Sequence, residues 1–83
     1  MNIIYKYIIR PGERMGIPHG RICKIAIQND YICAWVEHKV SAHDSKYLIA
    51  YATGEASEEM PHELYLETVF NGPFVWHIYE GML

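Results

Sequence analysis

Beyond Lys46 the chain contains no lysine and no arginine. All seven basic residues, Lys6, Arg10, Arg14, Arg21, Lys24, Lys39 and Lys46, fall in the first 46 positions. Only four acids share that segment (Glu13, Asp30, Glu37, Asp44), so it carries +3, whereas residues 47–83 hold six carboxylates without a base and carry −6. A net charge of −3 argues against sequence-independent nucleic-acid binding, which draws its affinity from neutralising phosphates. The polarity along the chain points to contact between unlike faces, either within the fold or between subunits.

Cysteine is scarce as well, with Cys23 and Cys33 alone, so neither a disulfide framework nor a cysteine-rich zinc site can hold this small domain together. Long apolar runs are missing. None approaches the roughly 18 to 20 residues that a spanning helix requires, and the apolar start, Met1 to Ile9, is broken by Lys6 and closed by Pro11-Gly12, without the basic beginning and small-residue cleavage site of a secretory signal. These features predict a protein of the cytoplasm with reduced thiols and no membrane contact. Helical periodicity is nearly absent too.

What remains is a hydrophobic half (51% of residues) with seven tyrosines, two tryptophans and two phenylalanines, arranged with a period of two. At 83 residues the chain predicts one domain, and a domain of this size buries only about 60 to 65% of its unfolded surface, so packing has little margin and a partner subunit would help. A first strand is predicted over residues 2–9, with Ile3, Tyr5, Tyr7 and Ile9 on one face and Ile4, Lys6 and Ile8 on the other. Arg10 to Gly20, with Gly12, Gly16, Gly20, Pro11 and Pro18, reads as a long loop. Strands at 21–28 and 31–38 form a hairpin about Asn29-Asp30, residue types that tolerate the positive φ of a two-residue turn. Its expected register sets Gln28 against Tyr31, Ile27 against Ile32, Ile25 against Ala34 and Cys23 against Val36. Cys23 and Cys33 then point to opposite faces and cannot bridge, and both are expected to be buried or half-buried.

A further strand is expected at 46–53, Tyr47, Ile49 and Tyr51 on one face and the small residues Ala50 and Ala52 with Leu48 on the other. Residues 54–63 have room for one helical turn, capped by Ser57 with Glu58 and Glu59 in its first turn. The last hairpin joins 64–70 to 74–80 around Asn71-Gly72, where Pro73 points to a longer loop or a bulge. Six strands with at most one short helical turn make an all-β fold, a compact and mostly antiparallel sandwich or small barrel.

The segments Tyr5-Lys6-Tyr7, Pro18-His19-Gly20, Gln28-Asn29, Trp35, Thr53-Gly54, Thr68 and Val75-Trp76-His77-Ile78-Tyr79-Glu80 resemble, in order and spacing, a family of small bacteriophage and prophage proteins of unknown function. The loop from Lys39 to Ser45 is shorter than is usual there. The resemblance implies a phage context and supplies no reaction.

Candidate chemistry is sparse. Of the five histidines, His19, His38, His43, His62 and His77, only His38 and His43 stand at ligand spacing, without a cysteine pair, so no metal site and no cofactor is predicted. His77 shares a face with Val75 and Tyr79 and is expected to be a core histidine bonded to backbone, with a pH-sensitive contact as the alternative. Ser41, Ser57 and Cys33 lack a nucleophile's context, and no catalytic residue is assigned. Arg10, Arg14, His19 and Arg21, interleaved with glycines, are the candidate anion-binding set. Glu55, Glu58, Glu59, Glu63 and Glu67 with Tyr65 form an acidic edge, the candidate protein-contact surface. Tyr5, Tyr7, Trp35, Tyr47, Tyr51, Tyr65 and Trp76 could stack a base, or else serve as core and subunit contacts. The expected function is stoichiometric binding without catalysis, most specifically inhibition of a host antiviral-defence protein in the host cytoplasm. The alternatives are a homo-oligomeric sponge for a nucleotide or another anionic small molecule, and a structural or assembly protein.

Overall fold

The computed structural model describes residues 1–83 as seven strands: β1 (Asn2–Ile9), β2 (Met15–Pro18), β3 (Arg21–Gln28), β4 (Tyr31–Lys39), β5 (Asp44–Ala52), β6 (Leu64–Asn71) and β7 (Phe74–Met82). They form two antiparallel sheets, one of three strands in the order β1-β4-β3 and one of four in the order β2-β5-β7-β6. The sheets face each other as a sandwich, β3 against β6 and β1 against β2 and β5, rather than closing into a barrel.

The additional strand, β2, lies in the segment that composition marks as loop. Ile17 is its one strongly apolar residue and is fully buried, and pairing of Met15 with Leu48 and Gly16 with Tyr47 takes up the backbone bonds of this short edge. Pro18 ends it at a register shift, as expected where a donor is missing.

Alternation places the core. Ile9, Ile32, Ala34 and Val36 face Ile17, Leu48, Ala50, Val69 and Ile78 between the sheets, flanked by Tyr7, Ile22, Ile25, Ile27, Leu66 and Trp76. Leu48, Ala50 and Ile78 are wholly excluded from solvent, so the small face predicted for β5 does lie in the close-packed layer.

The first hairpin follows its predicted register from Gln28↔Tyr31 to Ile25↔Ala34, with Asn29 and Asp30 both at positive φ, 51° and 66°. It then departs, because a bulge between Ile22 and Lys24 brings Ile22, not Cys23, opposite Val36. The extra residue pushes the Cys23 thiol outward, so Cys23 is exposed rather than half-buried. Cys33 is buried and both thiols are free.

The second hairpin turns on Gly72-Pro73, with Asn71 paired to Phe74. Only Gly72 has positive φ, 57°, and Pro73 occupies the second turn position, which donates no bond. Shifting the turn by one residue removes the conflict that Pro73 poses for an Asn71-Gly72 turn. The single helical turn is a 3-10 turn at Met60–His62, later than Ser57 suggests, with proline in its first positions. Ser57 instead accepts the Glu59 backbone N–H at 3.2 Å, a local bond that shapes the approach to the turn.

Gly20 is required by packing, since a Cβ there would run into the Glu37 carbonyl on β4.

Candidate functional site

The anion-binding candidates do not converge. Arg14 lies over the Tyr47 ring, 4.4 Å from its centroid, on the outer face of the four-stranded sheet. Arg10 stands at the opposite end of the sandwich from Arg21, beside the two hairpin turns. Arg21 donates to Glu37 at 2.7 Å, which raises the guanidinium pKa; Asn2 and Arg21 together lower that of the Glu37 carboxyl. Only His19 and Arg21 meet, in an open polar concavity of about 450 Å³ shared with Asn2, Gly20, Glu37, His38 and Lys39.

The acidic segment divides. Glu63 turns inward and accepts from both the Tyr47 and the Tyr51 hydroxyls, the latter at 2.6 Å. Its bond holds the Tyr47 phenol protonated, with a pKa pushed up to about 12, and burial adds to the rise. Burial first and Glu63 second raise Tyr51. Residues 53–63 therefore form a strap over a second apolar cluster, Tyr47, Ile49 and Tyr51, closed by Met60 and Tyr79. Glu55 accepts the Ala52 backbone N–H at 3.0 Å and Glu67 accepts that of Thr68 at 3.2 Å, while Glu58 and Glu59 remain exposed. Tyr65 packs edge-on against Tyr79 and its hydroxyl lies 2.6 Å from that of Thr68.

His77 sits on this same outer face, not in the core. Its Nε2 is 2.7 Å from the Thr53 hydroxyl and its Nδ1 is 3.0 Å from that of Thr68, so its partners are hydroxyls rather than backbone groups. Alternation placed it correctly with Val75 and Tyr79, but which face the chain would cover was not encoded there. His38 is the histidine that takes a backbone partner: Nδ1–H donates to the Lys39 carbonyl at 2.8 Å and Nε2 accepts from Tyr7 at 2.9 Å.

Two features escape the sequence reading. Lys46 is buried, with its ammonium 2.9 Å from the Glu80 carboxylate and 3.2 Å from the Gly20 carbonyl. The second is a groove of about 270 Å³ between the hairpin tips, floored by Ile9, Ile32 and Trp76 and rimmed by Tyr31, Phe74, Arg10 and Asp30. Asn71 Nδ2 donates to the Asp30 carbonyl at 3.4 Å and ties the two tips together. Phe74 stacks on Trp76, their planes 13° apart, yet remains 58% exposed, and Tyr31 is 52% exposed. Isolated apolar residues on a surface are ordinary, but two half-exposed aromatics rimming one apolar groove mark a contact surface. Tyr31 and Phe74 each follow directly on a hairpin turn, and that shared position is the signal by which the sequence could have disclosed the groove.

The chain belongs to the family defined by a domain of unknown function (DUF7352), whose model matches residues 1–82. No curated protein and no solved structure matches it.

Proposed function

We propose that this protein is a non-catalytic binding module that occupies the surface of a partner protein through the hairpin-tip groove. The observation that carries the reading is the groove itself: an apolar floor, two half-exposed aromatic rims and, at the mouth, Arg10, which shares the groove with Asp30 but forms no ion pair with it. Aromatic and arginine side chains of this kind supply most of the energy at protein contacts. The groove suits an apolar side chain of the partner flanked by a carboxylate that Arg10 can grip. Glu58 and Glu59, exposed on the strap, add a negative flank that favours a basic rim on the partner.

The motif resemblance to phage proteins sharpens the proposal to a phage-encoded inhibitor of a host defence protein, acting in the host cytoplasm by simple occupancy. A small protein needs no chemistry for that task, only a complementary surface. The test is capture of a host protein on the immobilised chain, compared with Tyr31→Ala, Phe74→Ala and the charge reversal Glu58→Lys/Glu59→Lys. Loss of the captured protein with either groove variant, joined to restored phage plating when the wild-type chain is expressed in a defended host, is the expected result. Retention by both groove variants would remove the groove from the proposal, and loss confined to the charge reversal would move the contact to the strap.

A second reading, the sponge for an anionic small molecule, is supported by the concavity that joins His19, Arg21 and Lys39. It is the weaker of the two because Arg21 is already paired with Glu37.

A further inference from the structure

A sandwich of two open sheets has four edge strands, and three of them here are blunted. The edge β2 has only four residues, with Gly16 and Pro18 among them. β3 is bulged between Ile22 and Lys24 and presents exposed Arg21 and Lys24. β6 is bulged between Tyr65 and Glu67, with Glu67 exposed. Short strands, proline, bulges and charge are the devices by which soluble proteins prevent edge-to-edge pairing.

The fourth edge, β1, is neither short, bulged nor broken by proline, and Lys6 is the only device of this kind that it carries. Its eight residues, NIIYKYII, contain no glycine, proline or acid, and it pairs with β4 without a register break from Asn2↔Lys39 to Ile9↔Ile32. Its other side is the open edge of the sheet. Ile3, Ile4 and Tyr5 are 42%, 58% and 55% exposed, so both faces of the strand's first half are apolar and wet. Lys6 is its one charge, and the ammonium is drawn back across the sheet to the Gln28 amide oxygen at 2.9 Å.

We propose that β1 pairs antiparallel with β1 of a second copy about a two-fold axis, joining two three-stranded sheets into one of six. The strand is suited to itself. A register centred on Tyr5 sets Tyr5 against Tyr5, Ile3 against Tyr7, Ile4 against Lys6 and Asn2 against Ile8, which matches apolar groups on one face and opposes no like charges. An isologous contact satisfies both copies with one arrangement and removes the unprotected edge from each. A lone copy buries only 17 of its 83 residues, and association stabilises such a thin core by mass action.

The test is sedimentation velocity of the full chain across a wide concentration range, with Ile4→Lys and Ile4→Glu beside the wild type and folding checked by circular dichroism. Ile4 is half-exposed and makes no core contact, so both variants retain the fold. In the proposed register Ile4→Lys faces Lys6 of the other copy twice per dimer and weakens it by about tenfold, whereas Ile4→Glu faces the same lysine and leaves the dimer as tight as the wild type or tighter. Amide exchange over residues 2–9 should slow as concentration rises. A wild type that is monomeric at every concentration overturns the proposal, and so does equal weakening by the two variants, which would indicate an apolar patch without this pairing.

Discussion

The outer faces of the two sheets are built from similar alternating strands and finished in opposite ways. On the four-stranded sheet Tyr47, Ile49, Tyr51 and Tyr79 are overlaid by residues 53–63 of the same chain, clamped where Glu63 accepts two tyrosine hydroxyls. On the three-stranded sheet no segment crosses the outer face. Trp35 and Cys33 are sheltered only by their neighbours on β1 and β3, and Lys6, Lys24 and the Arg21–Glu37 pair stand over them in solvent. One face is therefore part of a second small core, and the other is a surface. Substitutions on the first should cost stability, and comparable ones on the second should cost little.

The largest effect is expected at Gly81, which lies beneath the Tyr47 ring so closely that a Cβ would be driven into it. Tyr47 cannot swing aside without leaving both Glu63 and Arg14. Gly81→Ala should lower the unfolding free energy by about 2 to 3 kcal/mol, the cost typical of overpacking, read as a fall in the urea midpoint. A change of a few tenths would mean that the tyrosine moves freely and that the strap is not a core element.

Next in size is Glu63→Gln, which removes the charge that both hydroxyls meet. About 1 to 2 kcal/mol should be lost, because bonds to a charged acceptor contribute more than neutral ones and in the amide one of the two accepting oxygens is replaced by an NH2 that must donate to its tyrosine instead. The same contact has a pH signature. Tyr47 has its folded pKa raised from 10.0 to about 12, so its contribution is complete below pH 10 and is lost as the pH climbs through 12. Denaturation midpoints measured from pH 9 to 12 should fall in the wild type and fall less steeply in Glu63→Gln. Equal slopes would show that the strap's carboxylate does not govern the phenol.

This contrast also explains what could be read in the sequence. Strand positions, the turn at Asn29-Asp30 and the inward face of β5 follow from alternation and turn chemistry, which are local. The bulge at Cys23 and the strand at Met15–Pro18 are decided by what lies across the sheet, Val36 in one case and Leu48 with Tyr47 in the other. The acidic segment was legible as charge but not as a strap. Nothing near Glu63 in sequence announces that Tyr47 and Tyr51 will converge on it, because that meeting requires β5 and the 3-10 turn to be placed first. His77 lies outside the core for the same reason: period two sorts residues into faces but does not say which face the chain will cover.

Arg14 gives the smallest and sharpest test of the comparison. The exposed Arg14 guanidinium covers the buried Tyr47 ring from the solvent side, and a cation that stays in solvent contributes about 0.5 to 1 kcal/mol in such a contact. Arg14→Ala should therefore cost less than Glu63→Gln, and Arg14→Lys should recover part of the loss by restoring charge without the planar stack. If the arginine instead forms one unit with Glu63 and Tyr47, the double variant Arg14→Ala/Glu63→Gln will lose less than the sum of the two single losses. That non-additivity, measured by denaturant unfolding, would mark the strap, the tyrosine and the arginine as one cooperative patch. Additive losses would reduce Arg14 to a surface residue of the kind that covers the bare sheet, and the distinction between the two faces would then rest on Glu63 and Gly81 alone.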